Sequence, residues 1–208
     1  MTSASDRLFT IGHSAHPYER LVELLRGAGA TAVADVRTAP HSRRFPHFNR
    51  GVIEARLRLD GIAYSFLGAE LGGRPKGSHY YRDGVADYEP MAAAPQLQQG
   101  LRRVMEGLGS YRIALMCAER DPRDCHRCLL VSRALLERGL NSRHILPDGR
   151  LVSQAEIEEE LLATSGRGQD DLFASRQERL AAAYRERGRK IAFAVAVAGQ
   201  TDAEGEVT

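Results

Sequence analysis

The reactive side chains of this chain are concentrated in one short stretch, residues 116–128. All three cysteines, Cys117, Cys125 and Cys128, lie within these thirteen residues, together with Glu119, His126, Arg120, Arg123 and Arg127. A cysteine thiolate is both a nucleophile and a soft metal ligand. A carboxylate or imidazole beside it can carry a proton, and arginine forks bind oxyanions or stabilise a thiolate. Cys117 therefore has three readings: a nucleophile with its pKa lowered by nearby arginines, a metal ligand, or one half of a redox pair with Cys125. Asp124 suits a helix N-cap, which would put Cys125 in the first helical turn, where the helix dipole favours thiolate. As a metal set the expected ligands are Cys117, Cys125 and Cys128, with His126 pointing elsewhere, and the donors suit zinc or iron. Cys128 by itself reads as a small core residue. Glu119 is the acid–base candidate, in a pocket shared with His13 or His126. Residues 117–123 also match a Cys-x5-Arg anion loop. Pro122 has no amide to offer an anion there, and Glu119 and Asp121 repel one, so literal phosphatase chemistry is disfavoured.

Elements on both sides must position this stretch. Residues 111–116 form an apolar run that predicts a buried strand, and residues 129–136 predict a helix, so the cysteine loop joins a strand to a helix. Further strands are predicted at residues 7–11, 31–34, 62–66 and 142–146, with helices from about Pro17, at 51–60, at 96–108 with Met105 on the apolar face, and at 153–162. The last of these carries Ser153 and Glu156 at capping-box spacing. Strand, helix, strand in succession predicts parallel pairing. The expected fold is a single three-layer α/β domain with a mostly parallel, Rossmann-like sheet, spanning residues 1–163. A linker, a charged helix at 175–187 and a tail expected to be disordered (199–208) make up residues 164–208. Residues 67–77 are too glycine-rich for a packed element, and residues 79–88 are an ordered surface segment.

In a parallel sheet the strand carboxyl ends share one edge, where ligands bind. This edge would gather His13 and Ser14, Asp35 and Arg37, and Cys117 and Glu119. Asp35 needs a cationic partner if buried, and Arg127 or Arg44 is expected to supply it. Residues 36–53 contain no acid but carry Arg37, Arg43, Arg44 and Arg50, with Phe45 and Phe48 between them. This pattern predicts phosphate contact, with the phenylalanines placed to stack on bases. The phosphate-binding candidates are Ser14, Arg37, Arg43, Arg44, Asn49, Arg74 and Arg127. The catalytic candidates are Cys117, Glu119, His13, Asp35, Cys125 and His126.

The bulk numbers exclude other classes. Lys and Arg exceed Asp and Glu by 29 − 27 = 2, so any nucleic-acid reading must rest on local charge. Three clustered cysteines are not a secreted disulfide framework. No apolar run approaches the roughly 18 residues of a membrane span, and residues 1–7 lack the apolar core of a signal peptide. A soluble cytoplasmic protein is expected. No nucleotide-cofactor motif is present.

Several motifs together resemble the prokaryotic family known as domain of unknown function 488. They are Thr10-Ile11-Gly12-His13-Ser14, Asp35-Val36-Arg37 with Pro40 and Ser42-Arg43-Arg44, Leu71-Gly72-Gly73-Arg74-Pro75, Cys117-Ala118-Glu119 with Cys125-His126-Arg127, and His144-Ile145 with Asp148-Gly149. The resemblance spans residues 7–162 and implies an α/β domain with a common functional site. Beyond it, Gln169-Asp170-Asp171-Leu172-Phe173 resembles the peptide by which bacterial replication and repair proteins bind the sliding clamp, with Gln169, Leu172 and Phe173 as the anchors. Two functions are expected. One is a thiol- or metal-dependent hydrolase or transferase acting on a nucleotide or nucleic acid. The other is a nucleic-acid-associated binding module recruited to a clamp, its cysteine loop purely structural.

Overall fold

A computed structural model describes residues 7–195; the tail expected at 199–208 lies outside them. Six strands form one sheet in the order β3-β2-β6-β1-β7-β8. These are β1 (Leu8–Gly12), β2 (Ala32–Asp35), β3 (Ala63–Phe66), β6 (Ile113–Cys117), β7 (Arg143–Ile145) and β8 (Leu151–Ser153). All pairings are parallel except β7 with β8. The chain runs outward through α1 (Tyr18–Gly27) and α2 (Arg50–Leu59) to the edge strand β3. It then returns through α5 (Pro95–Gly107) to the centre, so that β6 lies between β2 and β1. Such a reversal of strand order opens a crevice at the carboxyl ends.

Alternation along β6 shows the three layers directly. Ile113, Leu115 and Cys117 join the core under α5, whereas Ala114 and Met116 join the core under α1 and α2. Successive strand residues point to opposite faces, and an apolar sequence without alternation is what a strand covered on both sides requires. In α5, Leu97, Leu101 and Val104 are buried, while Met105 lies at the edge of that face and is exposed.

Two segments depart from expectation, and the ordered surface segment expected at residues 79–88 takes a definite form. The glycine-rich stretch contains a packed turn, α3 (Gly68–Leu71), because Leu71 is wholly buried against α5. Residues 79–88 build a hairpin, β4 (Tyr81–Arg82) with β5 (Val85–Ala86), that leads into α4 (Tyr88–Ala93). The helix after the cysteine loop begins as a π turn at Arg127–Ser132 and tightens to α6 (Arg133–Leu136) only later. π turns of this kind recur at functional sites.

Beyond the sheet, α7 (Gln154–Thr164) starts with the Ser153–Glu156 capping box. The charged helix, α8 (Arg176–Ile191), starts with a second one, Ser175–Glu178, and runs past the expected end at residue 187. A chain of buried hydrogen bonds ties α8 to β1. Thr10 Oγ1 meets His144 Nδ1 at 2.8 Å, His144 Nε2 meets Gln154 Oε1 at 2.8 Å, and Gln154 Nε2 donates to Tyr184 Oη at 2.6 Å. Because Gln154 Oε1 can only accept, His144 carries its proton on Nε2.

Burial, aided by the positive charge of Arg127, lowers His144 from 6.5 to about 4. The unfolded chain therefore binds a proton between these pH values that the folded chain does not. Stability is complete above pH 6.5 and falls as pH drops toward 4, by up to about 3 kcal/mol from this residue. Urea unfolding at pH 7.5 and 4.5 should show that loss, and His144→Asn should flatten it.

Candidate functional site

Main-chain bonding aligns the three central strand ends. His13 N donates to Cys117 O at 2.8 Å, Ser14 N to Ala118 O at 2.9 Å, and Val36 N to Met116 O at 3.0 Å. The loop after β6 crosses directly over β1. A Cβ at Gly12 would lie 1.8 Å from Glu119 O, so only glycine fits at that crossing.

A cavity of about 340 Å³ opens at this edge, with Cys117, Glu119, Cys125 and His126 in its wall. The ligand atoms of these four residues all lie within 4.8 Å of one another. His126 Nδ1 is 3.8 Å from Cys117 Sγ and 3.9 Å from Cys125 Sγ, and its Nε2 is 3.0 Å from Val36 O. A carbonyl only accepts, so Nε2 is protonated and donates to it. The ring packs against Gly73, where a Cβ would lie 2.8 Å from His126 Cγ. Glu119 is exposed over much of its surface, yet its Oε2 is 2.9 Å from buried Cys125 Sγ, a separation that needs a proton between the two.

The electrostatics distinguish the two sulfurs. Burial pushes the Cys117 thiol well above its ordinary range. Burial acts the same way on Cys125, but the hydrogen bond with Cys117 and the charge of Arg127 outweigh it and bring that thiol well below. Burial and the neighbouring Cys125 sulfur raise Glu119. Negative charge is thus favoured on the Cys125 sulfur over the Cys117 sulfur, and Cys125 Sγ shares a proton with Glu119 Oε2.

Several expectations are corrected. Cys128 is not with the other cysteines: its Sγ lies 4.0 Å from His144 Nε2 and 3.7 Å from Gln154 Nε2, and His126 takes its place in the cluster. Asp124 does not cap the next helix. Cys125 is extended, its carbonyl accepts from Cys128 N and Leu129 N, and the Asp124 carboxylate instead pairs with Arg187. Arg127 is 0% exposed and so cannot reach a phosphate. Its Nη1 donates to Glu119 O at 2.7 Å, and its Nη2 to Arg120 O at 3.3 Å.

Asp35 is paired by Arg37, two residues away, rather than by Arg127 or Arg44. Arg37 Nε and Nη2 donate to its two oxygens at 2.9 and 2.6 Å, and Tyr64 Oη donates at 2.8 Å. Arg37 Nη1 donates to His13 Nε2 at 3.1 Å, leaving His13 Nδ1–H to bond Ser14 O. His13 is outside the cavity wall; burial and Arg37 lower its pKa to about 4. Asp35, Arg37 and His13 therefore form a support beneath the site, with Arg37 alone reaching its wall.

Of the basic segment, Arg43 and Arg44 are exposed and outside the cavity, and Arg44 lies over the Phe45 ring. Ser14 lies outside it too, and Asn49 accepts from Ser42 N. Phe48 is wholly buried in the core, so it cannot stack on a base. Arg74 does line the cavity. Its guanidinium lies 4.6 Å from the Phe193 ring centroid, and among the described residues no carboxylate pairs with it. Sequence reasoning missed Tyr88, Ile191 and Phe193, which complete the wall. No sequence signal linked them to residue 117; the run of α8 to its last residue brings Ile191 there, and the return of the chain beyond it, where Ala86 N donates to Phe193 O, brings Phe193. The peptide Gln169-Asp170-Asp171-Leu172-Phe173 lies away from the cavity, with Leu172 97% and Phe173 96% exposed.

Among the described residues no helix is long and apolar enough to cross a membrane. The family described as domain of unknown function DUF488 matches residues 17–134. That span contains the whole Cys117–Glu119–Cys125–His126 cluster and ends before Ile191 and Phe193. No curated protein and no solved structure matched.

Breaking the support from one side leaves a buried guanidinium unpaired. Asp35→Ala should cost about 3–5 kcal/mol of unfolding free energy. Tyr64→Phe, which removes a single hydrogen bond to the same carboxylate, should cost about 1 kcal/mol. Equilibrium denaturation of both variants checks the ranking.

Proposed function

We propose, for a chain that belongs to the family of domain of unknown function DUF488, that it is an enzyme: a hydrolase or group transferase acting on an anionic, phosphate-bearing substrate at the strand ends. One observation carries the reading. A carboxyl group raised by the protein packed around its inner side and by the Cys125 sulfur, Glu119, lies 2.9 Å from that sulfur in a cavity that also presents Arg74, which has no carboxylate partner among the described residues. A carboxyl held above its ordinary range beside a buried sulfur in a concave site is an arrangement suited to acid–base catalysis. Arg74 offers a planar fork for phosphate oxygens, and Phe193 keeps that fork extended over the cavity.

The roles divide accordingly. Arg74 holds the substrate anion, Glu119 moves the proton, Cys125 with Cys117 and His126 forms the reactive centre, and Asp35, Arg37 and His13 hold the strand ends in place. The α/β unit of residues 1–163 carries this centre. The extension, residues 164–208, adds Ile191 and Phe193 to its wall. Three free cysteines suit the reducing cytoplasm.

A second reading has its own support. Arg43 and Arg44 are exposed with no carboxylate partner among the described residues, and Leu172 and Phe173 are almost fully exposed beside each other. A binding module would use the arginines on nucleic acid and the Leu-Phe pair on a sliding clamp.

Turnover should be sought on p-nitrophenyl phosphate, bis-p-nitrophenyl phosphate and short single-stranded oligonucleotides. Glu119→Gln should lower kcat by at least about 100-fold with the fold intact, and Arg74→Ala should act mainly on KM. A fully active Glu119→Gln protein would refute the enzyme reading. The module reading expects instead no turnover, oligonucleotide affinity that falls steeply with salt, and a shallower salt slope for Arg43→Ala/Arg44→Ala.

A further inference from the structure

We infer that Cys117, Cys125 and His126 bind a zinc ion, with Glu119 as a fourth and exchangeable ligand. The inference rests on the same site as the proposed enzyme and names its cofactor, but its geometry stands independently of any reaction.

Spacing is the first argument. Around a tetrahedral zinc with bonds of about 2.0–2.3 Å, neighbouring ligand atoms lie roughly 3.3–3.8 Å apart. The two sulfurs are 3.8 and 3.9 Å from the same imidazole nitrogen, and all four ligand atoms fall within 4.8 Å of one another. The site needs only small side-chain adjustments to close on a metal, chiefly for Glu119 Oε2 to swing off Cys125 Sγ.

Orientation is the second. Val36 O accepts from His126 Nε2–H at 3.0 Å, which leaves the Nδ1 lone pair aimed between the sulfurs. A histidine ligand is normally set in this way, by a carbonyl or carboxylate on its other nitrogen. Gly73 lies flush against the ring and holds its plane.

Charge is the third. The Arg127 guanidinium is wholly buried, and among the described residues no carboxylate pairs with it. Its Nε has no hydrogen-bond partner, and its main-chain N–H points at Cys125 Sγ from 3.4 Å. A buried cation needs a compensating anion. Two thiolates and a carboxylate on Zn²⁺ carry a net charge of −1, placed beside this arginine.

Two soft sulfurs with one imidazole and one carboxylate favour zinc over the oxygen-seeking cations, and tetrahedral spacing fits it. Glu119 is the exposed member of the set, so it is the ligand that water or a substrate oxygen can displace. Cys128 is excluded by its place beside His144 and Gln154.

The experiment is elemental analysis of protein purified without an affinity tag, followed by titration of the metal-free protein with Co²⁺ as a spectroscopic stand-in. One zinc per chain is expected. Cobalt should give thiolate charge-transfer absorption in the near ultraviolet and tetrahedral bands in the visible, both removed by added zinc. Cys117→Ser and Cys125→Ser should each lose stoichiometric zinc and weaken the charge-transfer band, Glu119→Gln should keep the band, and Cys128→Ala should match the parent. Circular dichroism confirms folding of each variant, and the parent spectrum is a test that needs no variant. The inference is overturned if folded parent protein binds neither metal, if iron is held in preference to zinc, or if the Cys117→Ser/Cys125→Ser double variant retains stoichiometric zinc. Metal-free protein with full, Glu119-dependent turnover would overturn the zinc centre and leave the enzyme reading standing. A zinc-bound protein with no turnover on the phosphate esters and oligonucleotides would do the reverse.

Discussion

The site depends on a guanidinium that is sealed inside the fold. Arg127 lies at the start of the π turn, wholly buried, and its two terminal nitrogens donate to the main-chain oxygens of Glu119 and Arg120. That bonding pulls the loop after β6 down across the end of β1, so closely that β1 must finish on Gly12. The same curve of chain sets the Glu119 side chain beside Cys125 and returns His126 toward Cys117. A lysine would replace two donors held apart on a rigid planar fork by a single, strongly hydrated ammonium on a flexible stem.

Polar groups at this sheet edge form two layers with different degrees of satisfaction. The supporting layer is closed. Asp35, Arg37, Tyr64 and His13 bond one another, and the chain from Thr10 through His144 and Gln154 to Tyr184 ties the last helix to the first strand. Such networks hold a fixed geometry when every member is paired. The layer facing the cavity is open: among the described residues Arg74 has no carboxylate partner, and Glu119 and two sulfurs converge on one small volume. Rigid support behind unsatisfied groups is what a preorganised site requires.

The extension after residue 164 belongs to this design. Tyr184 and Ala183 are buried against α7, and Arg187 pairs with Asp124 in the cysteine loop. Those contacts carry Ile191 and Phe193 to the cavity wall, where Phe193 receives the Arg74 guanidinium. A segment built around a charged helix thereby supplies two apolar side chains of the wall.

Local pattern alone determined much of this protein. Unbroken apolar runs identified the parallel strands, Ser153 with Glu156 identified a helix start, and the gathering of cysteines with Glu119 and His126 identified the loop whose side chains converge. These features are encoded within a few residues, through side-chain alternation, capping and composition. Tertiary structure decided how they are partnered. Arg37 rather than Arg44 or Arg127 neutralises Asp35, His126 rather than Cys128 joins the two sulfurs, and Phe48 faces the core rather than a ligand. Each of those outcomes turns on direction. A π turn changes the angle at which successive residues leave the helix, and the order β2-β6-β1 selects which strand ends become neighbours. Neither quantity is carried by residue type or spacing, because both arise only when the sheet closes around β6.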